Sequence, residues 1–250
     1  MKVFGIDFFK GRQVDLIQAL KASAHGPFGY VVTTNVNHVV MLENDEGFRA
    51  AYDGASQRIC DSRVLMPVLR KFRAGVPEAI PGSTLTASMI EVAQREGWTV
   101  TVIGSTPDVM EVLAQRYPAI VFHHYNPPMG FINDPVQVEA TMAFIEQRPA
   151  QLIVFSVGSP RQEILCLRIA QRGRARGVAL CTGAALNFLS GKVQRAPKWV
   201  QTLSLEWLHR ILSEPRRLAG RYWHDGRRIL PIIVKQFFVR QEQQRERSDP

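Results

Sequence analysis

Asp61 has the surroundings that most suggest chemistry. It closes the short strand pattern Gln57-Arg58-Ile59-Cys60 and is followed by Ser62 and Arg63. A carboxylate set among amides and hydroxyls, with no lysine beside it, is suited to accept a proton from an attacking hydroxyl. The competing role is a helix N-cap before Arg63-Val64-Leu65, and the spacing leaves both open. Thr33, Thr34, Asn35 and Asn37 form a second polar group, Gly104 to Asp108 a third, and Gly158-Ser159-Pro160-Arg161-Gln162-Glu163 a fourth. Each follows an apolar run. Gln162 and Thr34 can donate to a phosphate or a sugar hydroxyl, or lie idle on the surface. No D-x-D pair occurs, so the charge of a bound diphosphate falls to Arg, Lys and helix N-termini. The six histidines show no ligand spacing.

The elements that must position these groups alternate. Strands are expected over residues 3–9, 28–34, 57–60, 98–103, 119–124, 152–157 and 177–181, with helical stripes between most of them. One helical stripe runs from Val39 through Phe48 and Tyr52. Another carries Leu65, Val68, Leu69 and Phe72, and a third, with Ser83 or Thr84 as its cap, carries Met89, Ile90 and Val92. Residues 182–188 read as a compact turn. Alternation of this kind predicts an α/β fold with a mostly parallel sheet and helices on both faces. In such a sheet the polar groups share one edge, where strand carboxyl ends meet helix N-termini.

The chain has 250 residues, enough for one large domain or a domain plus an appendage. Its net charge of +9 is uneven: from Lys192 onward there are 13 Lys and Arg against 6 Asp and Glu, a net of +7. This segment is also aromatic, with Trp199, Trp207, Tyr222, Trp223, Phe237 and Phe238. A solvated helix face, a nucleic-acid surface and an anionic membrane surface all accommodate the charge. The aromatic residues favour the membrane, and no nucleic-acid motif accompanies them. Residues 241–250 read as a frayed polar end. Ile229 to Val234 is too short to span a bilayer, no signal peptide is evident, and three separated cysteines suggest neither zinc nor a disulfide framework.

The motifs T-x-N (Thr33, Asn35), a strand-end Asp61, P-G-S (Pro81, Gly82, Ser83), G-x-P-[KR]-Q-E (Gly158 to Glu163) and R-A-P-x-W-x-Q…E-W-x-x-R…E-P-x-R (Arg195 to Arg217) occur in order. Together they resemble the WecG/TagA/CpsF glycosyltransferases over roughly residues 3–225. The resemblance implies a bacterial, inverting, metal-independent transferase with a Rossmann-like core over 1–195 and a helical, basic, membrane-associating appendage over 196–250. It implies a UDP-sugar donor, typically N-acetylmannosamine or its uronic acid, and a polyprenyl-diphosphate-linked saccharide acceptor in cell-surface polysaccharide synthesis. It also implies a peripheral position on the cytoplasmic face of the inner membrane, no cofactor and no nucleic acid, and leaves homo-oligomer formation open. Asp61 becomes the general base. Thr33, Asn35, Asn37, Gly82, Ser83, Gly104, Gln162 and Glu163 line the substrate pocket, and Arg210, Arg217 and Arg221 close over the diphosphate. The chain departs from the pattern at Ser62, where Gly is usual, at Ala79, where Arg is expected, and at Thr84, where Asp is expected. These departures bear on donor identity, with Arg63 as a substitute for the missing charge. They also motivate an alternative: a non-catalytic nucleotide-sugar-binding or scaffolding subunit.

Overall fold

Near-continuous apolar runs become the strands of one parallel sheet. In the computed structural model, which describes residues 2–194, 196–197, 200, 206–213 and 215–246, these are β1 (Gly29–Thr34), β2 (Gln57–Cys60), β3 (Thr99–Gly104), β4 (Val121–Tyr125), β5 (Leu152–Ser156) and β6 (Val178–Cys181). Their order is β2-β1-β6-β5-β3-β4, and every pairing is parallel. The fold is therefore α/β and Rossmann-like.

Alternate strand residues serve opposite faces. Val32, Ile103 and Phe155 face α2 (Val36–Leu42), α3 (Glu46–Asp53), α4 (Met66–Lys71), α7 (Pro135–Glu146) and α8 (Arg161–Arg172). Val31, Val102, Val154 and Leu180 face α1 (Gln13–Ser23), α5 (Gly82–Glu96), α6 (Pro107–Arg116) and the short α9 (Ala185–Leu189). Both faces are thus covered, as a parallel sheet requires. Each fully buried Leu, Ile or Phe side chain contributes about 1.5–3 kcal/mol relative to leaving it exposed.

Beyond the sheet lie α10 (Glu206–Ser213) and α11 (Pro215–Glu246), the latter with Pro231 inside it. Helix α11 runs along α2. Asn37 Nδ2 donates to Asp225 Oδ1 at 3.1 Å, Lys235 pairs with Glu43 at 3.1 Å, and the Phe72 and Phe237 ring centroids are 4.6 Å apart. The side chains of residues 210, 213, 217, 221 and 241–246 lie outside the described set.

Several expectations change. Residues 3–9 do not form a strand: Phe4 (φ 56°) and Gly5 (φ 74°) turn the chain back, leaving one antiparallel bridge between Val3 and Ile6. Val3, Phe4, Ile6 and Phe8 still bury, as a coil against the α4 face. The stripe from Val39 to Tyr52 is two helices, because Asp45 caps a new one by accepting the Phe48 N–H at 2.8 Å. Residues 185–189 are helical rather than a bare turn, and α11 carries the helix through Glu246, leaving 247–250 outside the described residues. Neither Ser83 nor Thr84 caps α5, which begins one residue earlier at Gly82 with Pro81 in the cap position.

Candidate active site

The carboxyl ends of β2, β1, β6 and β5 are neighbours, and hydrogen bonds beyond the strands tie them together. Asp61 N donates to Thr34 O at 2.9 Å, Thr33 Oγ1 donates to Cys181 O at 3.0 Å, and Gly183 N donates to Phe155 O at 3.1 Å. Ser156 Oγ then donates to Gly183 O at 2.7 Å. These bonds lace the four strand ends into one floor.

Asp61 is half-buried on that floor. It does not cap α4, which starts at Met66 with Leu65 before it. It serves α5 instead: Gly82 N donates to Asp61 Oδ1 at 2.6 Å. A carboxylate at a helix N-terminus meets both an unsatisfied donor and the positive end of the helix dipole. The cap expected before Arg63 therefore fails, and the helix that Asp61 holds is α5. One oxygen holds the helix, and the group stays at the sheet edge where a substrate would lie.

Gly82 is buried, and its lack of a side chain matters. A Cβ there would come within 3.1 Å of both Thr33 Cγ2 and Thr182 Cγ2. Its carbonyl accepts from Thr86 Oγ1 at 2.8 Å, which leaves the Thr86 oxygen to accept from the Thr182 hydroxyl 2.9 Å away. Thr33, Asp61 and Gly82 are thus brought together, with Ser83 half-buried in the next position of the helix. No sequence motif marks Thr86 or Thr182. Thr182 directly follows β6, so the strand-end argument applied to that strand would have reached it; Thr86 lies one turn beyond Gly82.

Asn35 Oδ1 accepts the His38 N–H at 3.1 Å and caps α2, while Asn37 reaches Asp225 of α11. Asp225 is buried although it sits in a basic, mostly exposed helix, a placement that sequence gave no signal for. Gly104, with φ 89° and followed by Ser105 at φ 71°, ends β3, three strand spacings or about 14 Å from β1. It is not beside Asp61. Arg63 is exposed, and Ala79 packs on the apolar core. The side chains of Arg210, Arg217 and Arg221 lie outside the described residues, as do Arg195 and Trp199 of the long C-terminal motif.

The turn after β5 has a cis Ser159-Pro160 peptide and hands over to α8 at Arg161. Helix α8 folds back over β6 and β1 and packs on α3, which brings Glu163 near Tyr52 and Cys181. Gln162 and Glu163 are 2% and 0% exposed. Burial pushes the Glu163 carboxyl up to about 7, against the opposing hydrogen bond from Gln162. Burial likewise raises the Tyr52 hydroxyl, whose oxygen is 2.7 Å from His38 Nδ1, and pushes the Cys60 thiol beside Asp61 up to about 12. Among the described residues no group of three or more His, Cys, Asp or Glu is placed to hold a metal ion.

A half-buried carboxylate beside a helix N-terminus on a sheet edge can take a proton from a hydroxyl, and the Thr33 and Thr86 hydroxyls, engaged with backbone carbonyls, hold the shape of that edge. The model of the family described as "Glycosyl transferase WecG/TagA/CpsF family" matches residues 1–243.

Proposed function

The chain belongs to the WecG/TagA/CpsF glycosyltransferase family, an enzyme family of cell-surface polysaccharide synthesis using nucleotide-sugar donors, and from that premise we propose an inverting, metal-independent transfer from a UDP-sugar to a polyprenyl-diphosphate-linked saccharide. The observation that carries this reading is the placement of Asp61, half-buried at the end of β2 with one oxygen fixed by Gly82 N–H.

Asp61 takes the proton from the acceptor hydroxyl as that oxygen bonds to the anomeric carbon. The bond from that carbon to the diphosphate oxygen breaks on the opposite face, and UDP leaves with the electron pair. One displacement inverts the anomeric centre. Thr33, Asn35, Asn37, Gly82, Ser83, Gly104, Gln162 and Glu163 are assigned to the substrate side, and Arg210, Arg217 and Arg221 to the departing diphosphate, where developing charge is best stabilised. The donor sugar is an N-acetylmannosamine, its uronic acid or a related hexose.

Residues 196–250 act in this reading as a basic appendage that holds the enzyme on the cytoplasmic face of the membrane. No helix among the described residues is long and apolar enough to cross a bilayer. Helix α11 instead exposes Trp223, Leu230, Val234 and Phe238 among Arg227, Arg228 and Lys235, a combination suited to the headgroup layer. Release of UDP, measured with a polyprenyl-diphosphate-linked acceptor and a panel of UDP-sugars in the presence of a chelator, tests the reaction. Acceptor-dependent release that survives chelation supports it, and release that depends on added metal removes the metal-independent mechanism. Flotation with anionic but not neutral liposomes supports the membrane assignment, and equal flotation with both removes it.

A further inference from the structure

Gln162 and Glu163 are adjacent in the first turn of α8, where successive side chains ordinarily diverge by about 100°. Here they converge: Gln162 Nε2 donates to Glu163 Oε1 at 2.8 Å, and both residues are almost fully buried. One hydrogen bond does not offset the desolvation of two such side chains. The imbalance falls on the amide: the Glu163 carboxyl is also drawn on by the Ser159 hydroxyl and its own backbone N–H, whereas Gln162 Oε1 is buried with no hydrogen-bond partner among the described residues. An apolar pair would satisfy packing at lower cost, so the arrangement points to a ligand.

The chemistry of the amide decides which ligand group it suits. Its donor end is engaged by the carboxyl, and its acceptor end is left over. Phosphate oxygens offer only acceptors, whereas a sugar hydroxyl or acylamino N–H offers a donor. We propose that Glu163 is a positioning residue that fixes the Gln162 amide with Oε1 toward the substrate, so that Gln162 selects a hydrogen-bond donor on the transferred sugar rather than the diphosphate. This rests on the reading of Gln162 as a wall of the nucleotide-sugar pocket and adds what that wall recognises.

The arrangement depends on the charge of Glu163. As a carboxylate it only accepts, which holds Nε2 toward it. Once protonated it also donates, and either end of the amide can face it. Besides the non-titrating Gln162 amide and Ser159 hydroxyl, the titratable groups that interact with Glu163 are Tyr30 on β1, Tyr52 on α3, Cys166 on α8 and Cys181 on β6. Burial raises all four, so they stay uncharged around neutral pH and the pH response belongs to Glu163 itself. The affinity for the sugar should weaken as pH falls through about 7.

The test uses the full chain with UDP-N-acetylmannosamine and with UDP alone. Glu163→Met should lower kcat/KM for the sugar nucleotide by roughly 10- to 100-fold, the range for losing an oriented polar contact, while the Kd for UDP stays within about twofold. Glu163→Gln, which keeps an acceptor facing Nε2, should rescue most of that loss and flatten the pH dependence of KM. Unchanged kcat/KM in Glu163→Met, or an equal loss of UDP affinity, overturns the proposal. Gln162→Ala separates the two levels: if it leaves kcat/KM unchanged, the pocket reading itself fails, whereas damage by Gln162→Ala with none by Glu163→Met removes only the positioning role. Melting curves on each variant confirm that folded protein is compared.

Discussion

Asp61 Oδ1 and Gly82 N are 2.6 Å apart, so the end of β2 and the start of α5 are joined through the same carboxylate that is assigned to proton transfer. Structural and chemical demands on this side chain are thereby separable. A neutral amide can keep the first and must lose the second.

Asp61→Asn retains an oxygen for the Gly82 N–H and cannot take a proton. Turnover should fall by about 10²–10⁴-fold, the usual worth of a general base, with UDP affinity by calorimetry unchanged. Asp61→Ala should lose turnover equally and also stability, by about 1 kcal/mol for the missing cap. Full turnover in Asp61→Asn would remove it as the base.

Gly82→Ala places a methyl 3.1 Å from Thr33 Cγ2 and Thr182 Cγ2. The neighbours must yield by a few tenths of an ångström, and overpacking of this kind costs about 1–3 kcal/mol. Because the displaced groups flank Asp61, kcat/KM should drop at least tenfold at temperatures where the variant is still folded, a loss expected of reactive geometry disturbed by small displacements. A stable variant of unchanged activity would show that the glycine serves packing alone.

Glu163 should make the native state less stable toward alkaline pH. Its folded pKa of about 7 lies above the ordinary carboxyl value of 4.5, so between these values the native state holds a proton that the unfolded chain has lost. Stability therefore falls as pH rises through this window, by on the order of 3 kcal/mol in total, and levels off above it. Urea denaturation from pH 4.5 to 8 should show this slope in the native sequence and lose most of it in Glu163→Gln.

Asp225→Ala should release α11 from α2. The substitution removes the partner of Asn37 and leaves that amide facing an empty space, while Lys235 with Glu43 and Phe237 with Phe72 remain. Limited proteolysis should cut within 215–246 severalfold faster, with little change in the melting of the sheet. Asp225→Asn, which can still accept from Asn37, should behave nearly as the native chain does.

Short, largely apolar runs alternating with helical stripes made the parallel sheet readable, since Gly29–Thr34 and Leu152–Ser156 suit strands covered on both faces. Strand ends then pointed to Asp61, Thr33 and Gln162 without any contact being known. What escaped was long-range. Asp61 capping a helix 21 residues away, and Asp225 buried against Asn37 across 188 residues, follow from tertiary approach and leave no local pattern. The lost first strand shows the reverse failure: residues 3–9 have strand composition, but the positive φ of Phe4 and Gly5 breaks the extension. The depth of Glu163 was equally hidden, because a Glu in a first helical turn is ordinarily a solvated partner of the dipole.

That broken segment has a use as a seam. Strand β2 ends the sheet, paired only with β1, and an uncovered edge offers its amides and carbonyls to any other chain. Phe9 N donates to Arg58 O at 2.9 Å along that edge, while Phe4 N donates to Gln236 Oε1 of α11 at 2.7 Å. Residues 4–9 thus stitch the outermost strand to Gln236 of α11. Ile80 N holds the other end of that edge by donating to Cys60 O at 2.7 Å, so removing residues 4–9 is expected to bare only the Arg58 carbonyl, a local opening at which another strand could add.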